Sequence, residues 1–250
     1  AKNSVAVKKL IGYLPEGAPA YPDMTPASFL DFIANVRGLR GNTKKQRIDE
    51  TIGLVNLENV LYQLIETLSK GFKRRVGLAQ AIIHDPDVLI LDEPTDGLDP
   101  NQKYEVRSLI QNMAQEKVII LSTHILEEVD AVCTRAIVIA NGRIVADGTP
   151  AELESRSPSH NSVIISLHGI KKDAAIKALK DIKSVNSVEC ISAESNIATF
   201  QLYPSNRSSI IGDVSRLAQD KQWQIEELHV HKGRLDEVFR QITAAPQSLT

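Results

Sequence analysis

The chain lacks an excess of charge of either sign. Its 250 residues carry 29 Lys and Arg against 31 Asp and Glu, a formal net charge of −2. A balance this close to neutral gives no bulk attraction to nucleic acid or to anionic lipid. The chain also lacks any apolar run of the roughly 20 residues needed to cross a bilayer. No basic-apolar-small signal segment stands at its start. Any link to a membrane is therefore expected through a partner. Cysteine is scarce: Cys133 and Cys190 stand far apart, with no CxxC or Cys/His spacing. That reads as reduced thiols of a cytosolic protein. Cys133 shares a helical face with Leu126 and Val129, so packing is its expected role. No methionine precedes Ala1, so a fragment without its natural N-terminal part is expected.

What is present is an ordinary globular balance, 42% hydrophobic and 24% charged, in a length that suits one large domain or two modest ones. Residues 7–14 read as a strand that ends in the turn-rich Pro15–Pro19. Thr25-Pro26 opens a helix as N-cap and first helical residue, with Phe29, Phe32, Ile33 and Val36 as its apolar stripe. A second helix is predicted over about 43–55. Ser69 opens a third, carrying Phe72, Val76, Ala79 and Ile83, and Pro86 stops it. Strand 88–91 follows, then a helix from Asp99-Pro100 with Val106, Leu109, Ile110 and Met113 inward. After it come strand 118–122, helix 125–133 and strand 136–140, which returns through Asn141-Gly142 to 143–146. Thr149 to Glu152 fits a capping box. Alternating strands and helices argue for a parallel α/β sheet, with the antiparallel hairpin at its end.

Residues 155–161 read as a polar linker. Strand 163–167, helix 172–180, strands 185–191 and 196–202, helix 206–219 and strand 223–230 then spell β-α-β-β-α-β, a ferredoxin-like order. A last helix carries Leu235, Val238, Phe239 and Ile242, and the tail after Ala244 is expected to fray. The expected division is 1–154, with a helical insert over about 17–67, then linker 155–161, a small domain over 162–243 and a tail over 244–250.

The chemistry concentrates in Val88–Pro100, VLILDEPTDGLDP. Four apolar residues run into Asp92 and Glu93, the pattern of a buried strand delivering two acids to a sheet edge. Asp92 suits Mg²⁺, a hard cation, and Glu93 suits a water attacking a phosphoryl group. His124 follows the next strand, so it is expected at the same edge, where it can hydrogen-bond a γ-phosphate. Leu68-Ser69-Lys70-Gly71-Phe72 begins a helix, where a hydroxyl, free N–H groups and the helix dipole favour an anion. Lys73, Arg74 and Arg75 add positive charge behind it. His229 and His231 share one face of a strand, but no third ligand has metal-site spacing.

LSKGF followed by KRRVGLAQAI, then VLILDEPTDGLDP, then STHILEE resembles the ABC-type ATPase domain over nearly all of residues 5–150. The resemblance implies a P-loop NTPase-like fold with a helical subdomain. It implies that Ser69 and Gly71 belong to the signature loop, normally LSGGQ, from which Lys70 and Phe72 depart. Asp92 and Glu93 then complete Walker B, Asp99 belongs to the D-loop, and His124 is the switch histidine. Glu16 stands where the Q-loop glutamine is usual and keeps an oxygen for Mg²⁺. Ser69, Lys70, Gly71 and Asp99 would contact ATP largely held by a second, head-to-tail protomer. The wording around YLPEGAPAYPDMT and the extra C-terminal domain resemble the ABC-2 exporter ATPases, including the gliding-motility type. Such proteins couple ATP hydrolysis to transport through a transmembrane permease on the inner face of the cell membrane.

One departure is large. No GxxxxGK[ST] occurs in the 250 residues, so the loop that should wrap the β- and γ-phosphates is missing. Truncation rather than degeneracy is expected, and the chain alone is expected to be inactive. Two other readings compete. A soluble ABC ATPase of repair, chromosome structure or translation would carry long heptad runs or a second ATPase domain, and neither occurs here. A non-catalytic regulatory ABC fold would be disfavoured by an intact phosphate loop upstream.

Overall fold

The computed structural model describes residues 4–194 and 196–244. They form two compact units that divide between Cys133 and Thr134.

The first unit holds helices α1 (Ser4–Leu10), α2 (Pro26–Val36), α3 (Gly41–Val55), α4 (Lys70–Ile82), α5 (Pro100–Met113) and α6 (Leu126–Val132). Its strands are β1 (Ile11–Leu14), β2 (Val88–Asp92) and β3 (Val118–Ser122). They form a parallel sheet in the order β1-β2-β3. Leu14 pairs with Leu91, which pairs with Leu121, so all three strands end together at one edge. Glu16, Glu93 and His124 leave the sheet there. Leu14, Leu89 and Leu91 are fully buried and pack with Phe29 and Leu30 of α2, Val76 and Ala79 of α4, and Ile110 of α5.

Caps define the helices. Thr25 accepts from Ser28 N in a capping box, with Pro26 at the first helical position. Ser69 and Asp99 cap α4 and α5 by accepting from Phe72 N and Gln102 N. The strand expected over 7–14 is shorter: residues 4–10 are helical, and only 11–14 are strand. The reason is pairing. Its partner begins at Val88, opposite Ile11, so residues before Ile11 have no ladder to join and bond among themselves instead.

The second unit begins with hairpin β4 (Ala136–Ala140) and β5 (Arg143–Gly148). Asn141 and Gly142 both have positive φ, 51° and 72°, as a tight primed turn requires. Among the described residues this hairpin forms its own two-stranded sheet rather than ending the parallel one. Helix α7 (Pro150–Glu154) carries the expected capping box. Then come β6 (Val163–His168), α8 (Lys172–Lys180), β7 (Val185–Glu194), β8 (Ile197–Pro204), α9 (Ile211–Asp220), β9 (Gln224–Val230) and α10 (Leu235–Ala244). The sheet order is β7-β8-β6-β9, antiparallel throughout, the ferredoxin-like arrangement. Phe200, Ile165, Leu167 and Leu202 fill its core.

Residues 155–161 are turns held inside this unit rather than an open linker. Ser157 and Ser159 are 1% and 3% exposed, and both hydroxyls donate to the Glu237 carboxylate of α10. The expected helix over 206–219 starts later, at Ile211. The tail after residue 244 lies outside the described residues. No helix among the described residues is long and apolar enough to cross a membrane.

Candidate active site

Three chain turns leave the carboxyl edge of the parallel sheet. After β1, Ala18 N donates to Pro15 O at 3.1 Å, closing a four-residue turn with Gly17 at φ 74°. Positive φ at the third position is what a type II turn requires. Glu16 is its exposed second residue. After β2, Glu93 adopts φ 48°, a left-handed conformation costing a non-glycine residue about 1–2 kcal/mol. Glu93 N donates to Ser122 O at 2.9 Å, which ties the twisted residue to the end of β3. Strain of this kind concentrates at working sites.

The Glu93 carboxylate gathers three donors. One oxygen receives His124 N at 3.0 Å and faces His124 Nδ1 at 2.8 Å, and the other receives the Thr123 hydroxyl at 3.3 Å. Glu93 is largely buried, whereas the His124 side chain is 71% exposed. The hydrogen bond to Glu93, and then its charge, raise the His124 pKa above the ordinary histidine value. With Nδ1 occupied, the outward Nε2 end is left to meet a ligand. Behind this pair, Glu128 of α6 is 1% exposed, and burial raises its carboxyl pKa.

The second group is the paired helix starts. Gly71 lies so close to α5 that a Cβ there would come within 2.4 Å of Gln102 Oε1. Gly97 (φ 70°), between Glu93 and Asp99, faces the Lys70 side chain. Ser69, Lys70 and Gly71 therefore sit beside the loop leading to Asp99. The positive charge expected behind Ser69 is instead dispersed. Lys73 Nζ donates to Glu66 O at 2.8 Å, Arg75 pairs with Glu105, and Arg74 turns inward, 5% exposed. Burial lowers the Arg74 pKa, and Asp96, Glu16, Glu93 and Asp92 pull it back up.

The structure thus joins Glu93 to His124 by hydrogen bonds, while Asp92 ends β2 and Glu16 lies in the turn after β1. Among the described residues no three His, Cys, Asp or Glu side chains converge as a ready metal cluster. The donor chemistry still fits Mg²⁺, which takes one or two carboxylates and completes its shell with phosphate oxygens and water. Asp92 and Glu16 could serve. His229 and His231 take separate partners: His229 faces Glu227, and His231 accepts from Gly233 N. Sequence reasoning passed over Thr123, Gln102 and Glu128. Thr123 was signalled only by its place next to His124, Gln102 by its third-residue place after an Asp cap. Glu128 carried no signal, because its burial depends on distant packing.

The sequence profile of the ABC transporter family matches residues 2–96. Over these residues the chain is similar to the ATP-binding domain of ABC transporters. The chain is 35% identical over 153 residues to the uncharacterized ABC transporter ATP-binding protein YxlF of Bacillus subtilis, covering 61% of this chain and 52% of that one. It is 28% identical over 243 residues to the linearmycin resistance ATP-binding protein LnrL of the same organism, covering 97% and 77%. Among solved structures it is similar to cbiO1 of Clostridium perfringens, part of the ABC transporter complex cbiONQ. There the TM-score is 0.56 and the identity 28%, over 62% of this chain and 63% of that one. The chain spans about half the length of YxlF and of several other curated relatives. The fold around the sheet edge is accordingly the P-loop NTPase-like ABC fold, mixed α/β with parallel strands.

Proposed function

We propose that this chain is the ATP-binding and ATP-hydrolysing part of an ABC-2-type membrane exporter. The observation that carries the reading is the Glu93 carboxylate, fixed at the strand end beside Asp92 and bonded by His124 and Thr123. A carboxylate so placed suits the orientation and polarisation of an attacking water. His124 donates to the γ-phosphate, and its pairing with Glu93 favours the doubly protonated imidazole that can donate from both nitrogens. Asp92 and Glu16 hold Mg²⁺, which when bound neutralises charge on the phosphates. Ser69, Lys70, Gly71 and Asp99 close over ATP held by a second protomer, the capped start of α4 offering free N–H groups.

The ATPase domain is taken as residues 1–154, which extends past the division of the compact units at Cys133, and the accessory domain as 162–243. Residues 17–67 meet a transmembrane permease, and the turn at Glu16 couples site to insert. The protein then works at the inner face of the cell membrane through that partner. The alignment with LnrL, a resistance ATP-binding protein, runs through both units and supports an exporter. The 250 residues contain no GxxxxGK[ST], so they are expected to show no ATP turnover alone. The test is Glu93→Gln in a chain joined to such a loop. ATP binding should persist while hydrolysis falls at least about a hundredfold. Unchanged turnover would remove Glu93 from the reaction.

A further inference from the structure

The second unit leaves one strand of its sheet half paired. Among the described residues β9 is bonded to β6 on one side, and no strand lies on the other. Its residues Gln224, Ile225, Glu226, Glu227 and His229 are exposed. In an antiparallel ladder, residues whose backbone groups face the partner strand alternate with residues whose groups face away. His231 N donates to Ser162 O at 2.7 Å, and His231 O accepts from Asn161 N at 2.9 Å, so His231 faces the β6 side. By that alternation His229 and Glu227 face β6 too, and the N–H and C=O groups of Leu228 and Val230 point to the open side. The register shift of this ladder falls between Ser166 and Leu167, opposite residues 225–227, and leaves Glu227 to Val230 regular. Among the described residues no hydrogen bond from another segment reaches the free groups of Leu228 and Val230. Such an edge is a template for a further strand.

The charges along β9 select the strand that fits. Acids come first, Glu226 and Glu227, and basic residues follow, His229, His231 and Lys232. Parallel pairing with a copy of this strand would set like charge against like. Antiparallel pairing sets the acids of each copy against basic residues of the other, and opposite charges stabilise facing pairs. With a two-fold axis at His229, Leu228 of one copy faces Val230 of the other, and the two exchange their free backbone groups. Glu226 and Glu227 of each copy then lie against Lys232 and His231 of the other. The opposite edge strand, β7, does not match itself in this way: two register shifts interrupt it, and its charged residues are the acids Glu189 and Glu194. We propose that β9 is a self-association edge, on which a second copy of this chain pairs antiparallel and continues the four-stranded sheet. The contact needs no nucleotide, and it does not rest on the proposed ATP chemistry.

The test uses the 250-residue chain without ATP. Sedimentation equilibrium should show a monomer–dimer equilibrium. Amide exchange at Leu228 and Val230 should slow about tenfold or more as the dimer fills, while the amides of β7 keep their rate. Glu226→Lys, with folding verified by circular dichroism, should raise the dimer Kd at least about tenfold, because like charges then face each other twice across the axis. Adding Lys232→Glu should bring the Kd back to within about threefold of the parent, since the swapped charges face each other again. Where Glu226→Lys does not fold, Lys232→Glu alone serves: it sets an acid against Glu226 and Glu227 of the other copy and should weaken the dimer as much. A chain still monomeric at about 1 mM overturns the proposal. So does a dimer in which Leu228 and Val230 exchange at the monomer rate, or a Glu226→Lys defect that Lys232→Glu does not relieve. None of these outcomes bears on hydrolysis by Glu93→Gln, so the two readings stand or fall separately.

Discussion

Gly12→Ala tests the seam on which the site is built. Gly12 lies in β1, opposite Leu89, with α4 directly above. A methyl group there would sit 2.1 Å from Ala81 O, 2.6 Å from Leu89 Cδ2 and 2.9 Å from Pro86 Cγ, where ordinary contact begins at 3.4 Å. The first obstacle is backbone, so no rotamer change relieves it, and α4 must lift from β1 by more than an ångström. Overpacking costs about 1–3 kcal/mol where side chains can adjust, so about 3 kcal/mol is expected here. At a urea m-value of about 1–3 kcal/mol/M, the midpoint should fall by about 1 M or more. Gly53→Ala in α3 is the matched control. Nothing lies closer than 3.9 Å to its new methyl, and alanine is the better helix former, so a gain of about 0.5–1 kcal/mol is expected. Urea unfolding followed by circular dichroism reads both. If Gly12→Ala moves the midpoint no further than Gly53→Ala, the close approach of α4 to β1 is refuted.

Three further outcomes follow from the charges. Glu93→Gln should lower the His124 pKa toward the ordinary histidine value in an NMR titration, because the bond and charge that raise it are lost. In the parent, the stabilisation from this pair is complete below the unfolded histidine pKa and disappears as pH rises through the elevated folded one; an unmoved titration would contradict the pairing. His84 behaves oppositely. Burial, followed by Arg37, lowers its pKa to about 4, with Ile11 O accepting its one hydrogen bond. Its unfolded form binds the proton first, so stability should drop as pH falls from about 6.5 toward 4, by about 1–3 kcal/mol. His84→Gln should flatten that limb in urea titrations at pH 7 and pH 5, and an equally steep fall in the variant would clear His84. In the second unit, Glu237→Gln weakens the charge-assisted bonds from Ser157 and Ser159 and should cost about 1–3 kcal/mol. A melt identical to the parent would show that these bonds do not hold α10.

Much of the site was legible because its parts are local. Ser69, Asp99 and Thr149 each announce a helix start within four residues, and each caps the helix expected of it. Asp92, Glu93 and His124 end predicted strands, and parallel pairing of those strands brings Glu93 and His124 into contact. The errors share a cause. Residues 7–10 carry a strand-like pattern but lack a partner strand. Ser157 and Ser159 look like linker residues until Glu237, about 80 positions away, accepts from them. Lys73, Arg74 and Arg75 are indistinguishable as a basic run, yet their rotation about α4 buries Arg74 and gives Lys73 and Arg75 separate partners, Glu66 O and Glu105.

The sequence by itself determined the order of elements, the caps, the acids at the end of β2 and the resemblance that those motifs carry. Such features depend on hydrogen bonds and side-chain periodicity within a few residues, which a linear chain already contains. Only the tertiary structure decided that Glu93 is bent into a left-handed turn against His124. It also decided that Arg74 reaches the Glu16 turn and that the chain divides at Cys133. Those outcomes depend on which distant segments share a ladder or a close-packed seam, and residue spacing alone does not record that choice.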